Sequence, residues 1–334
     1  MKIVFLIICW LVRPNAAAAT ESELLGQENA AWSRSIFFRG FDPTTKERLT
    51  DKKLAEFASR LERNGIRYTY IFSGPFQKDG HLPAYAFSER TRASVEYLKK
   101  MHPKVKILPW IGGVEGKTVF LEDAAWVKNS LKDTAKLVGS IPFDGVHVDL
   151  EYVLFPAPST FVIPEKDYDA GWAQFHKKLR DALPCTFVST VVVSSSLETR
   201  PWKHKHSVAD IVEVSRVVDQ LSFMFYETNL HELEAYRENI RSQLQQIRNM
   251  KDELGKKAPQ YLFGIGTFKS EGSLKTYRDM RLENVPGTLA ILKELTREVS
   301  PLKRIIDGLA IYCEWLTDPE DWRQIRTQWT EVKQ

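Results

Sequence analysis

The chain has 334 residues, 43% hydrophobic and 27% charged, with 17 Gly and 16 Pro. Those proportions exclude a collagen-like, low-complexity or mostly disordered chain. A formal net charge of +4 is near neutral for this length and predicts no strong pull toward nucleic acid or a membrane surface. Length alone allows two domains of ~150 residues or a single barrel of ~250 or more.

The N-terminus places Met1-Lys2 before an apolar run from Ile3 to Val12, then Arg13 and the small residues Ala16 to Ala19. That order predicts a secretory signal peptide over residues 1–19; the competing reading is a buried N-terminal strand. The apolar run is too short for a spanning helix, which needs ~20 residues, so no membrane contact is expected after cleavage. The expected location is secreted or periplasmic. Cleavage removes Lys2, Arg13 and Cys9, lowering the charge to +2 and leaving Cys185 and Cys313. Two cysteines can pair but build no disulfide framework; both adjoin apolar strands and read as buried free thiols.

Residues 20–32 read as an N-terminal segment, and residues 33–334 as one barrel domain. The first strand is expected at Ser35–Phe38. A helix follows with Leu54, Phe57, Ala58 and Leu61 on one face, stopped at Asn64-Gly65. Further strands are expected at Tyr68–Phe72, Val105–Trp110, Gly145–Leu150, Thr186–Val193, Leu221–Tyr226, Tyr261–Ile265 and Leu309–Cys313, with helical patterns between them. Alternation of this kind implies parallel pairing, and continuous apolar strands imply a sheet buried on both faces. Eight such units are the count of a (β/α)8 TIM barrel in the α/β class. An open doubly wound sheet is the rival, but no G-x-G-x-x-G follows the first strand.

In a barrel the chemistry lies at the C-terminal strand ends. The fourth strand ends Asp144-Gly145-Val146-His147-Val148-Asp149-Leu150-Glu151. Alternation turns Val146, Val148 and Leu150 toward the helices and His147, Asp149 and Glu151 toward the interior. Buried ionisable groups need partners, and two close carboxyls split in pKa, which suits one to be a general acid. A hydrogen-bonded cluster that merely braces the barrel is the alternative.

Asp144-Gly145-x-His147-x-Asp149-x-Glu151 resembles the D-G-x-D-x-D-x-E signature of glycoside hydrolase family 18, the chitinases and endo-β-N-acetylglucosaminidases. Gly112-Gly113, Met224-Phe225-Tyr226-Glu227, Gly264-Ile265 and Trp315 resemble further family segments in the same order, over roughly residues 35–318. The resemblance implies a TIM barrel and a retaining, substrate-assisted hydrolysis of β-linked N-acetylglucosamine glycans. Carried across, Glu151 is the acid, Asp149 orients the 2-acetamido group and stabilises the oxazolinium, and Tyr226 donates to the acetamido carbonyl. His147, Asp144, Trp315, Met224, Glu227, Trp110 and Gly113 would complete the substrate site, with Trp315 under a sugar. No cofactor or metal is implied; the partner is a carbohydrate, and a monomer is expected.

The departures are informative. His147 stands where the family has Asp or Asn, and as a neutral donor or a cation it would tune Asp149. Glu227 is one methylene longer than the family's Asp, and Trp110-Ile111 replaces a small Ser. About 45 residues separate the seventh and eighth strands, too few for the chitinase insertion domain, so a shallow cleft is expected. The loop with Tyr152, Phe155, Pro156, Pro158 and Phe161 is either a site wall or an apolar cover. Ser194 to Ser196 line the site or cap a helix, and His204-x-His206 reads as surface histidines rather than a metal pair. A non-catalytic chitinase-like lectin is the other functional reading; Glu151 speaks against it and His147 for it. A near-neutral charge suits an uncharged sugar polymer bound by aromatics and a few carboxyls.

Overall fold

The computed structural model describes residues 25–151, 165–193, 206–269 and 278–330, with the side chains of 165–169 excepted. The expected signal peptide, the loop from Tyr152 to Phe161, Ser194 to Ser196 and His204 lie outside these.

Eight parallel strands close into a barrel in sequence order. They are β1 (Ala30–Ser33), β2 (Tyr68–Phe72), β3 (Lys106–Val114), β4 (Gly145–Glu151), β5 (Phe187–Val193), β6 (Gln220–Met224), β7 (Gln260–Gly266) and β8 (Gly308–Tyr312). The outer helices are α1 (Asp51–Arg63), α2 (Glu89–Met101), α3 (Ala124–Ser140), α4 (Glu165–Ala182), α5 (Val208–Ser215), α6 (Leu233–Leu254), α7 (Val285–Val299) and α8 (Pro319–Ile325). Ala30 pairs with both Tyr68 and Ala310, which closes the ring. Helix starts carry the side-chain caps their sequences suggest: Thr50, Ser88, Asp123, Ser207, Asn284 and Asp318 each accept from a first-turn N–H.

Two apolar layers follow from strand alternation. Ala31, Ile71, Ile111, Val146, Val148 and Leu150 join the helix faces in the outer layer. Ala30, Trp32, Tyr68, Tyr70, Leu108, Val191, Met224 and Tyr226 fill the barrel interior. α7 is the helix between β7 and β8 among the described residues.

The first strand lies upstream of its expected place. Ile36–Arg39 is a single helical turn, closed by Gly40 at φ 78, whose N–H donates to the Ile36 carbonyl. A short apolar run fits either period. Here Phe37 stacks on Phe57 of α1 at 3.8 Å and Phe38 meets Phe143 edge-on, so the run serves helix packing. Cys313 is buried and free; Cys185 is free but exposed, because it sits in the turn between α4 and β5. His206 is not a surface histidine: it is buried and stacked on Trp172 at 3.9 Å.

Candidate active site

The interior of β4 is built in levels. At the lower one, His147 is fully buried between Trp110 of β3 and Ser189 of β5. Tyr70 stacks on its ring at 3.6 Å and 4°. Trp32 Nε1 donates to His147 Nε2 at 3.0 Å, and His147 Nδ1 lies 2.8 Å from Ser189 Oγ. An indole N–H only donates, so Nε2 is the acceptor and Nδ1 carries the proton. Ser189 then donates to Gln220 Oε1 at 2.9 Å, and Gln220 Nε2 donates to Gln260 Oε1 at 2.9 Å. Tyr70 also donates to Gln220 Oε1. This chain of bonds runs one way across the barrel floor. Burial drives the His147 pKa well below its ordinary value and keeps the ring neutral.

This corrects the expected role of His147. Both ring nitrogens are taken by Trp32 and Ser189, so the side chain neither donates to Asp149 nor charges it. Its side chain is wholly buried below Asp149.

One level up, Asp149 pairs in register with Gly112 of β3. Trp110 Nε1 donates to Asp149 Oδ2 at 2.9 Å. The residue that departs from the family's small Ser is therefore the one that orients the carboxylate. A Cβ on Gly112 would fall 1.8 Å from the Asp149 carbonyl oxygen, so only glycine lets the strands approach here. Gly113 faces the other way, where a Cβ would fall 2.1 Å from Thr118 Oγ1. Glu151 ends β4, half-buried, opposite Val114, and its carbonyl accepts from Glu115 N at 2.8 Å.

Across the mouth, Met224 and Tyr226 are buried in the interior layer. Burial above all, with Tyr312, Glu227 and Asp149 close by, holds the Tyr226 hydroxyl well above its ordinary pKa, so it remains a neutral donor. Its ring stacks on Tyr312 at 5.3 Å and 8°. Glu227 follows in the left-handed region at φ 58, a strained position for a non-glycine residue. Glu283 holds it there: its carboxylate accepts from Glu227 N at 2.6 Å, Thr228 N at 2.9 Å and Thr228 Oγ1 at 2.6 Å. Trp315 is half-buried and meets Tyr312 edge-on at 6.1 Å.

Asp144 is not at the mouth. It precedes β4 at the opposite end, where Lys99 Nζ at 2.8 Å and Ile107 N at 2.8 Å occupy its two oxygens. It braces α2 and β3 against β4, at the end of the barrel away from Glu151. Sequence reasoning missed Trp32, Ser189, Gln220, Tyr312 and Glu283. Tyr312 had a signal: it continues the inward alternation of Ala310. No group of metal-binding side chains occurs among the described residues.

No protein-family model matches the chain, and no curated protein matches it. Solved structures do match its fold. The spore cortex-lytic enzyme SleL of Bacillus cereus superposes with a TM-score of 0.60 at 13% identity, over 90% of this chain and 74% of that one. The Ostrinia furnacalis Group IV chitinase gives 0.59 at 11% identity, over 91% and 100%. ChiB, a glycoside hydrolase family 18 chitinase of Flavobacterium johnsoniae, gives 0.54 at 12%, over 92% and 96%. The chain thus has a (β/α)8 fold shared with chitinases of glycoside hydrolase family 18.

Proposed function

We propose that this protein is a glycosidase that hydrolyses β-linked N-acetylglucosamine glycans with retention of configuration. The observation that carries the reading is Asp149, held by an indole N–H two residues before Glu151 on the same inward face of β4. Glu151 gives its proton to the glycosidic oxygen as the C1–O bond breaks. The oxygen of the substrate's own 2-acetamido group attacks C1 and forms an oxazolinium ion. Asp149 accepts from the acetamido N–H and offsets the developing positive charge. Tyr226 donates to the acetamido oxygen. Water then opens the oxazolinium at C1, Glu151 takes the water's proton, and the β-anomer leaves. Tyr312 and Trp315 offer apolar plates to sugar rings. The Asp149–Glu151 pair supports an enzyme over a lectin, since a sugar-binding surface needs no proton donor. Export from the cell through the expected leader belongs to the same proposal.

The test is the anomer first released from an N-acetylglucosamine oligomer, followed by proton NMR, with a stable thiazoline mimic of the oxazolinium as inhibitor. The β-anomer and competitive inhibition are expected. Initial release of the α-anomer overturns the mechanism.

A further inference from the structure

Because the strands are parallel, the chain after β1 and the chain after β2 both leave on the face that carries Glu151. Between them lies a pocket of about 450 Å³ lined by Arg39, Gly40, Phe41, Lys46, Arg48 and Arg90. Four cationic side chains meet there, and the lining holds no carboxylate. The neighbouring acids are engaged elsewhere: Asp42 by Arg34 at 2.9 Å, Glu47 by Lys53 and Glu89 by Arg92 at 3.6 Å. Among the described residues, none of the four pocket cations enters an ion pair. Surface cations elsewhere are commonly paired, as Arg237 is with Glu294 and Arg241 with Glu298.

The pocket is also shaped. The Arg39 guanidinium lies 4.0 Å over the Tyr85 ring, and its Nε is buried without an acceptor. Arg90 runs along the turn at Gly40, which takes a φ of 78. Phe41 stands at the edge, 41% exposed. Uncompensated cations beside an exposed ring suit an acidic group on a sugar: the ring takes the apolar face of the pyranose and the cations take the anion.

We infer that this pocket binds a carboxylate borne by the glycan, so that the preferred substrate is an acidic amino-sugar polymer. The inference rests on the glycosidase reading for the identity of the polymer. The near-neutral net charge conceals the pocket because acids elsewhere balance it.

The experiment is sedimentation of the full chain with insoluble peptidoglycan, with the same material after its carboxyls are converted to neutral amides, and with chitin. The variant is Arg48→Glu/Arg90→Glu, both exposed and outside the catalytic machinery. The control, Lys104→Glu/Lys257→Glu, makes the same charge change at the opposite end of the barrel. Wild type and control should bind native peptidoglycan roughly tenfold more tightly at low salt than the variant does, with the advantage fading as salt rises. Amidated peptidoglycan and chitin should not distinguish the three proteins. Equal binding of native peptidoglycan by all three, or an equal loss in the control, overturns the inference. Charge-dependent binding without turnover would instead overturn the glycosidase reading and leave the pocket standing. Turnover of chitin with no charge dependence on peptidoglycan would do the reverse.

Discussion

Trp110 Nε1 donates to Asp149 Oδ2 at 2.9 Å, across the β3–β4 pairing. A hydrogen bond to a charged group contributes about 1.5–3 kcal/mol. Trp110→Phe keeps the ring's bulk against Phe72 and Tyr312 and removes the donor. On the proposed mechanism kcat should fall roughly 10- to 100-fold, with KM changed much less, as measured on an aryl N-acetylglucosamine oligomer. An unchanged kcat would remove Trp110 from its positioning role.

His147 makes a pH-dependent prediction. The native ring stays neutral, whereas the unfolded ring takes a proton below its ordinary value of 6.5. The unfolded state therefore binds more protons there, and wild-type stability falls by ~1.4 kcal/mol per pH unit below 6.5 from this group. Asn at 147 has no such loss. His147→Asn should be less stable at pH 7.5, since Trp32 and Ser189 lose their geometry, and the gap should narrow by about 2 kcal/mol between pH 6.5 and 5. The difference between the two proteins is the proper readout, because Glu115, raised to about 8 by burial, titrates with the opposite sign in both. Urea midpoints across that range give the answer. A gap that widens toward acid would mean that His147 is charged in the fold.

Glu283 fixes the strained Glu227 and with it the segment after β6 that carries Tyr226. Glu283→Ala leaves two backbone N–H groups and the Thr228 hydroxyl without their acceptor. Unfolding should cost about 3 kcal/mol less. KM should also rise several-fold, because the Tyr226 hydroxyl loses its setting. Thermal unfolding and steady-state kinetics on the same preparation separate the two effects. A stable variant with native KM would show that the loop holds itself.

What the sequence revealed follows from periodicity. Strand–helix alternation gave the barrel, and the two-residue period of β4 separated Val146, Val148 and Leu150 from His147, Asp149 and Glu151. Partners were not legible, because inter-strand register decides them. Asp149 meets Trp110 through β3, and His147 meets Trp32 through β1, whose first three residues fall in the segment expected to precede the barrel. Asp144 belongs to the same motif as Glu151, but letters in a motif do not say which end of a strand they occupy. The run Ser35–Phe38 carried no period long enough to tell a strand from one helical turn.

The central claim is that Glu151 supplies the proton. The most direct measurement is the rate of release from an N-acetylglucosamine oligomer with a poor leaving group, for wild type and Glu151→Gln, with thermal stability and oligomer binding measured alongside. In Glu151→Gln, kcat should fall by ~10²–10⁴ with both other properties retained. Equal turnover by the two proteins would contradict it.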